Sequence, residues 1–76
     1  MTSELVGAIR IFAKNKEMTL AKLEKDAGLT QGAISHWNHH SPRVSSIRKV
    51  TNTLGIEMSA LFREMEKLEK KRKSAI

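Results

Sequence analysis

A chain of 76 residues is long enough for one domain, and a domain this small buries only about 60% of the surface its unfolded chain exposes. It has no cysteine, no apolar run near the ~20 residues of a membrane span and no signal-peptide pattern; a disulfide scaffold is excluded and a cytoplasmic location is expected. The formal net charge is +6, from 14 lysines and arginines against 8 aspartates and glutamates, which suits an anionic partner such as nucleic acid or an acidic membrane surface.

Thr2 or Ser3 is the candidate cap of a first helix that runs to about Asn15, with Leu5, Ile9 and Phe12 at helical spacing and Ile11 off that stripe. Residues 15–18 read as a loop. Thr19 caps a second helix, Leu20 to Ala27, with Leu20, Leu23 and Ala27 on one face. Gly28 suits the left-handed residue that closes a helix, because it has no Cβ to clash. Leu29 is then free to point inward, and Thr30 can cap a third helix from Gln31 to about Asn38. A Gly stop, one apolar plug and a Thr start make a sharp turn between two helices.

Residues 39–43 form a loop that Pro42 helps to set, and Ser41 with Pro42 in the first turn is one option for capping the fourth helix. That helix covers roughly Val44 to Leu54, with Val44, Ile47, Val50 and Leu54 apolar, and Gly55 ends it. A fifth helix starts near Met58 or Ser59 and continues to Lys73, carrying Leu61, Phe62, Met65 and Leu68. No alternating run or hairpin dipeptide signals a strand. The fold class is all-α: five short helices around a core of Leu, Ile, Val, Phe and Trp.

The third helix is the informative one. At about 100° per residue, Ala33, Ile34 and Trp37 share one side, while Gln31, Gly32, Ser35, His36 and His39 cover the other. Those outward residues are small or carry hydrogen-bonding groups, where a merely solvated helix would show Lys and Glu. The B-DNA major groove, about 12 Å wide, admits a helix and displays matching donors and acceptors. A Gln amide can pair bidentately with adenine, Gly allows close approach, and Ser and His can donate or accept. Charge agrees: residues 27–56 contain no Asp or Glu, yet hold Arg43, Arg48, Lys49 and all three histidines.

The run TLAKLEKDAGLTQGAISHW, Thr19 to Trp37, resembles the helix-turn-helix of the phage repressor and Cro class, the XRE family. The resemblance extends through Pro42, Val44, Ile47, Val50, Leu54-Gly55-Ile56 and Leu61-Phe62, so it covers residues 5–62. It implies a five-helix, lambda-repressor-like DNA-binding domain over residues 1–62, followed by a basic helical C-terminal extension, residues 63–76. In that family the second helix crosses the DNA backbone and the third reads the major groove. By position, Gln31, Gly32 and His36, with Ser35 among them, fall at base contacts. Thr19, Thr30, Arg43 and the start of the fourth helix fall near phosphates. Three positions depart from the pattern. Glu24 stands where the family usually has a small residue between the two helices, so it must lean outward or the helices must separate slightly. Gly32 removes a side chain where a reader often stands, and Leu20 replaces a phosphate-binding Gln.

Other readings compete at several residues. Trp37 as a stacking platform for single-stranded bases loses to its core spacing from Ile34. His36, His39 and His40 offer two ligands on one helix face, but structural zinc usually takes four, often with Cys; no metal and no cofactor is expected. His39 and His40 read either as a loop beside the phosphate backbone or as plain solvated residues. Arg43 and Gln31 have solvated-surface readings too. Residues 63–73 are a stripe packed on the body or on a second subunit, a solvated end, or a phosphate contact through residues 70–73.

The function expected is a sequence-specific regulator of transcription, a repressor that binds a near-palindromic operator as a dimer. Leu54, Ile56, Leu61, Met65 and Leu68 are the expected dimer surface, being more apolar groups than one small core needs. A regulatory protein partner is possible. The alternatives are an antitoxin-like protein-interaction module of the same fold and a non-specific nucleic-acid binder. No enzyme is expected. There is no Cys nucleophile, the glycines are scattered at 7, 28, 32 and 55, and no acid lies near the histidines in sequence to orient them.

Overall fold

The computed structural model describes the backbone of residues 2–74 and the side chains of residues 4–70. Five helices form: α1 (Thr2–Asn15), α2 (Leu20–Asp26), α3 (Ala33–His36), α4 (Val44–Leu54) and α5 (Met58–Ser74). No strand occurs among the described residues. Thr2 and Ser3 lie inside α1 rather than ahead of it, and their side chains fall outside the described residues.

Three helices stop by the same device. The amide after a left-handed residue turns back to a carbonyl five residues earlier, which satisfies the last orphan acceptors. At α1 the left-handed residue is Glu17 (φ 56), and Met18 N–H donates to the Ala13 carbonyl at 2.8 Å. At α2 it is Gly28 (φ 73), with Leu29 N–H on the Glu24 carbonyl at 2.8 Å. At α4 it is Gly55 (φ 70), with Ile56 N–H on the Thr51 carbonyl at 3.0 Å.

The core gathers Leu5, Val6, Ala8, Ile9 and Ala13 from α1, Leu23 from α2, Ile34 and Trp37 from the α3 region, Ile47, Val50 and Leu54 from α4, and Leu61 from α5. Phe12, Leu20, Leu29, Met65 and Leu68 pack around it, half-buried. The longest contact runs between α1 and α5. Gly7 permits it: a Cβ there would stand 3.2 Å from Leu68 Cδ1. The boundary expected at residue 62 therefore falls inside α5, and Met65 and Leu68 beyond it cover the same core.

Two apolar residues expected in the core face outward. Val44 is 60% exposed because it occupies the first position of α4, one turn ahead of Ile47, where the helix first meets the core. Phe62 is 43% exposed because its neighbour Leu61 takes the inward position. The cap expected from Ser41 is also displaced. Arg43 holds the N-cap position of α4 with no side-chain bond, and its carbonyl accepts from Ser46 and Ile47.

Trp37 is 7% exposed and Ile34 is fully buried, so the ridge expected beneath the third helix is in place. Replacing Trp37→Ala is expected to cost about 3–5 kcal/mol, enough to unfold most of so small a domain. Loss of the far-UV helical signal at 25 °C checks it; an unchanged melting curve would remove Trp37 from the core.

Candidate nucleic-acid interface

Helix α2 starts on Thr19, whose side-chain oxygen accepts from Lys22 N–H at 3.1 Å. It ends on the Gly28 turn, and Leu29 drops into the core edge as expected. The next residues depart from expectation. Thr30 does not cap α3, and the helix does not begin at Gln31. Thr30 carbonyl instead accepts from Ala33 N–H at 3.0 Å, which closes a four-residue turn. Gly32 (φ 85, ψ −1) takes its third place, while Gln31 keeps a negative φ. Those angles are the signature of a type II β-turn, in which the third residue needs the left-handed region. Gln31 thus stands at a turn corner, and the regular helix is only Ala33–His36.

The cause is Glu24. Its carboxylate accepts from Gly32 N–H through Oε1 and from Ile34 N–H through Oε2, both at 2.9 Å. The residue is 3% exposed, so it does not lean outward but sits between α2 and the start of α3 with both oxygens bonded. A buried charge is tolerable only when hydrogen-bonded, and here two amides at the start of α3 serve both oxygens. Gly32 in the left-handed region turns these amides toward α2. The sequence carried a signal for this. Glu24 follows Leu20 by four residues and precedes Ala27 by three, so it falls on the apolar face of α2. An acid there needs a partner from the next element.

After α3 the chain keeps winding in tight turns. Trp37 N–H reaches the Ile34 carbonyl at 3.0 Å, and the His36 carbonyl accepts from both His39 (3.0 Å) and His40 (3.2 Å). The expected helix end at Asn38 is therefore replaced by turns from Trp37 onward. This winding stacks the His36 and His40 rings, with centroids 4.5 Å apart and planes at 27°.

Gln31, Gly32, Ser35 and His36 are all exposed, as are Thr19, Thr30, His39, His40 and Arg43. The acid-free stretch thus reaches solvent, and Glu24, the buried acid beneath it, is hidden. On α2, Asp26 pairs with Lys22 at 3.5 Å. Above Gly32 the space is open: nothing lies within 4 Å of where a Cβ would be. The surface offers an amide, a hydroxyl and stacked imidazoles, groups of the kind that can meet base edges and phosphate oxygens, while the Gly32 N–H and carbonyl are taken by Glu24 and His36 N–H. Among the described residues no group of three or more His, Cys, Asp or Glu could hold a metal ion, and no helix is long and apolar enough to cross a membrane.

The expected dimer residues divide. Leu54 and Leu61 are fully buried within the one chain and have no surface to give a partner. Ile56, Met65 and Leu68 stay half-buried at the core's edge. Lys71, Arg72 and Lys73, for which phosphate contact is one of three readings, have side chains outside the described residues.

No family model matches the chain, and neither curated proteins nor solved structures give a match.

Gly32→Ala meets no steric obstacle but must hold a left-handed conformation, a cost of about 1 kcal/mol after the stiffer unfolded chain is counted. The expected result is a lower urea midpoint at unchanged slope. A higher midpoint would mean that residue 32 does not adopt the left-handed turn.

Proposed function

We propose that the chain is a sequence-specific binder of double-stranded DNA that regulates transcription, with α2 and α3 acting as a helix-turn-helix of the repressor and Cro kind. One observation carries the reading: Ile34 and Trp37 are buried on one side of the α3 region, while Gln31, Ser35 and His36 are exposed without an acid among them. In this reading Gln31, Gly32, Ser35 and His36 meet base edges. Thr19, Thr30, His39, His40 and Arg43 meet phosphates, which position the protein and add affinity without sequence information. The protein works in the cytoplasm and represses by covering a promoter.

A single module of this size covers roughly 600–1,000 Å² of protein surface on DNA. Two copies on a near-palindromic operator double the readout, with half-sites about one helical turn apart. Since Leu54 and Leu61 are committed to the core, the dimer surface in this proposal falls to Ile56, Met65 and Leu68 with the exposed Phe62. Phe62 is also the one observation that favours a second reading, a protein-interaction module of the same fold.

Selection of bound duplexes from a random pool tests the proposal. Enrichment of a near-palindromic site supports it, and an unenriched pool overturns it in favour of a protein-interaction module or a non-specific nucleic-acid binder. On the selected site, Gln31→Ala is expected to cost about 1–3 kcal/mol and to relax base preference. Equal losses on selected and random duplexes would reassign Gln31. Arg43→Ala is expected to weaken all duplexes alike and lower the slope of log K against log salt by about one; a slope unchanged by the substitution would remove Arg43 from the phosphate contacts.

A further inference from the structure

We infer that Glu24 is a positioning residue for base readout: its buried carboxylate locks the turn that presents Gln31. The inference rests on the DNA-reading proposal above. Glu24, being 3% exposed, is placed to touch no base. It acts on the backbone. Oε1 holds Gly32 N–H at 2.9 Å, and that N–H belongs to the peptide plane whose carbonyl is Gln31's own. Holding the plane fixes one of the two soft backbone torsions of Gln31. Oε2 holds Ile34 N–H at 2.9 Å, two residues on. The Thr30–Ala33 bond closes a turn that contains the first anchor and ends one residue before the second. The Gln31 side chain is exposed while its backbone is held from below.

Regular helix cannot supply this rigidity. Four residues make about one turn, far short of the length at which a helix holds itself together. A carboxylate accepting two amide bonds is charge-assisted, shorter and stronger than a neutral cap. A neutral Ser or Asn at the cap would satisfy an amide without burying a charge, but it would tie α3 only to itself. Glu24 ties it to α2, the helix that the proposal sets across the DNA backbone. The tie therefore transmits the docking of α2 to the angle at which Gln31 meets a base. Ordering the reader before binding removes an entropy cost that DNA contact would otherwise meet.

The test uses the full chain, the selected duplex and a scrambled duplex of equal length. If wild type does not discriminate between them, the DNA-reading proposal fails and this one with it. If it does discriminate, Glu24→Gln isolates the tie, because its side chain keeps its size but turns an NH2 donor toward one of the amides. The selected duplex is expected to bind about tenfold more weakly, with the scrambled duplex unaffected. The double variant Glu24→Gln/Gln31→Ala is expected to bind no worse than Gln31→Ala, since both remove one readout. Equal losses on the two duplexes, or losses that add in the double variant, would overturn the inference. If Glu24→Gln does not fold, amide hydrogen exchange of wild type decides. Protection of Gly32 and Ile34 with and without DNA is expected, and exchange as fast as in unfolded chain would sink the lock.

Discussion

A carboxylate placed on the apolar face of a short helix has to find hydrogen-bond donors inside the protein. In this chain it finds two backbone amides at the start of the next helix. The bonds from Gly32 and Ile34 to Glu24 set where α3 begins, and that start sets everything exposed on its far side. They displace the helix start from Gln31 to Ala33, fold residues 30–33 into a turn, and leave Gly32 left-handed. The burial of Ile34 and Trp37 supplies the opposing constraint. One interaction fixes the segment's entrance and the other fixes its rotation about its own axis. Between them they anchor a single turn of helix at its start and along its inner side.

The electrostatic character of the surface follows from the same arrangement. Residues 27–56 bring no acid to solvent, and both oxygens of the buried Glu24 beneath them accept from backbone amides. The space over Gly32 is open, and the nearby Asp26 is paired with Lys22.

Most of the fold was legible because its signals are periodic or steric. The stripe Ile47, Val50 and Leu54 placed α4, the pair Ile34 and Trp37 placed the ridge, and Gly28 and Gly55 marked two stops. What escaped was non-local. The register of α3 depends on a side chain eight residues away from Gly32, which a cap rule looking only at Thr30 does not see. Glu17 closes α1 in the left-handed region without being glycine, so no local residue preference announced it. Val44 and Phe62 are apolar residues on helices, but apolarity alone cannot say that Val44 lies a turn ahead of the core or that Leu61 takes the inward place beside Phe62. Of the candidate site, the wheel placed Ser35 and His36 outward within the regular helix, while Gln31 and Gly32 are exposed on a turn that it did not foresee.

The close passage of α5 over Gly7 bears on how this chain could be shortened or joined to other sequence. Leu68 rests against the bare backbone of α1, so the stretch just past residue 62 serves as a roof over the first helix rather than as an appendage. Trimming the chain at residue 62 would strip that roof and leave a greasy trough along α1. The first point at which foreign sequence could be grafted without opening the body lies beyond Leu68.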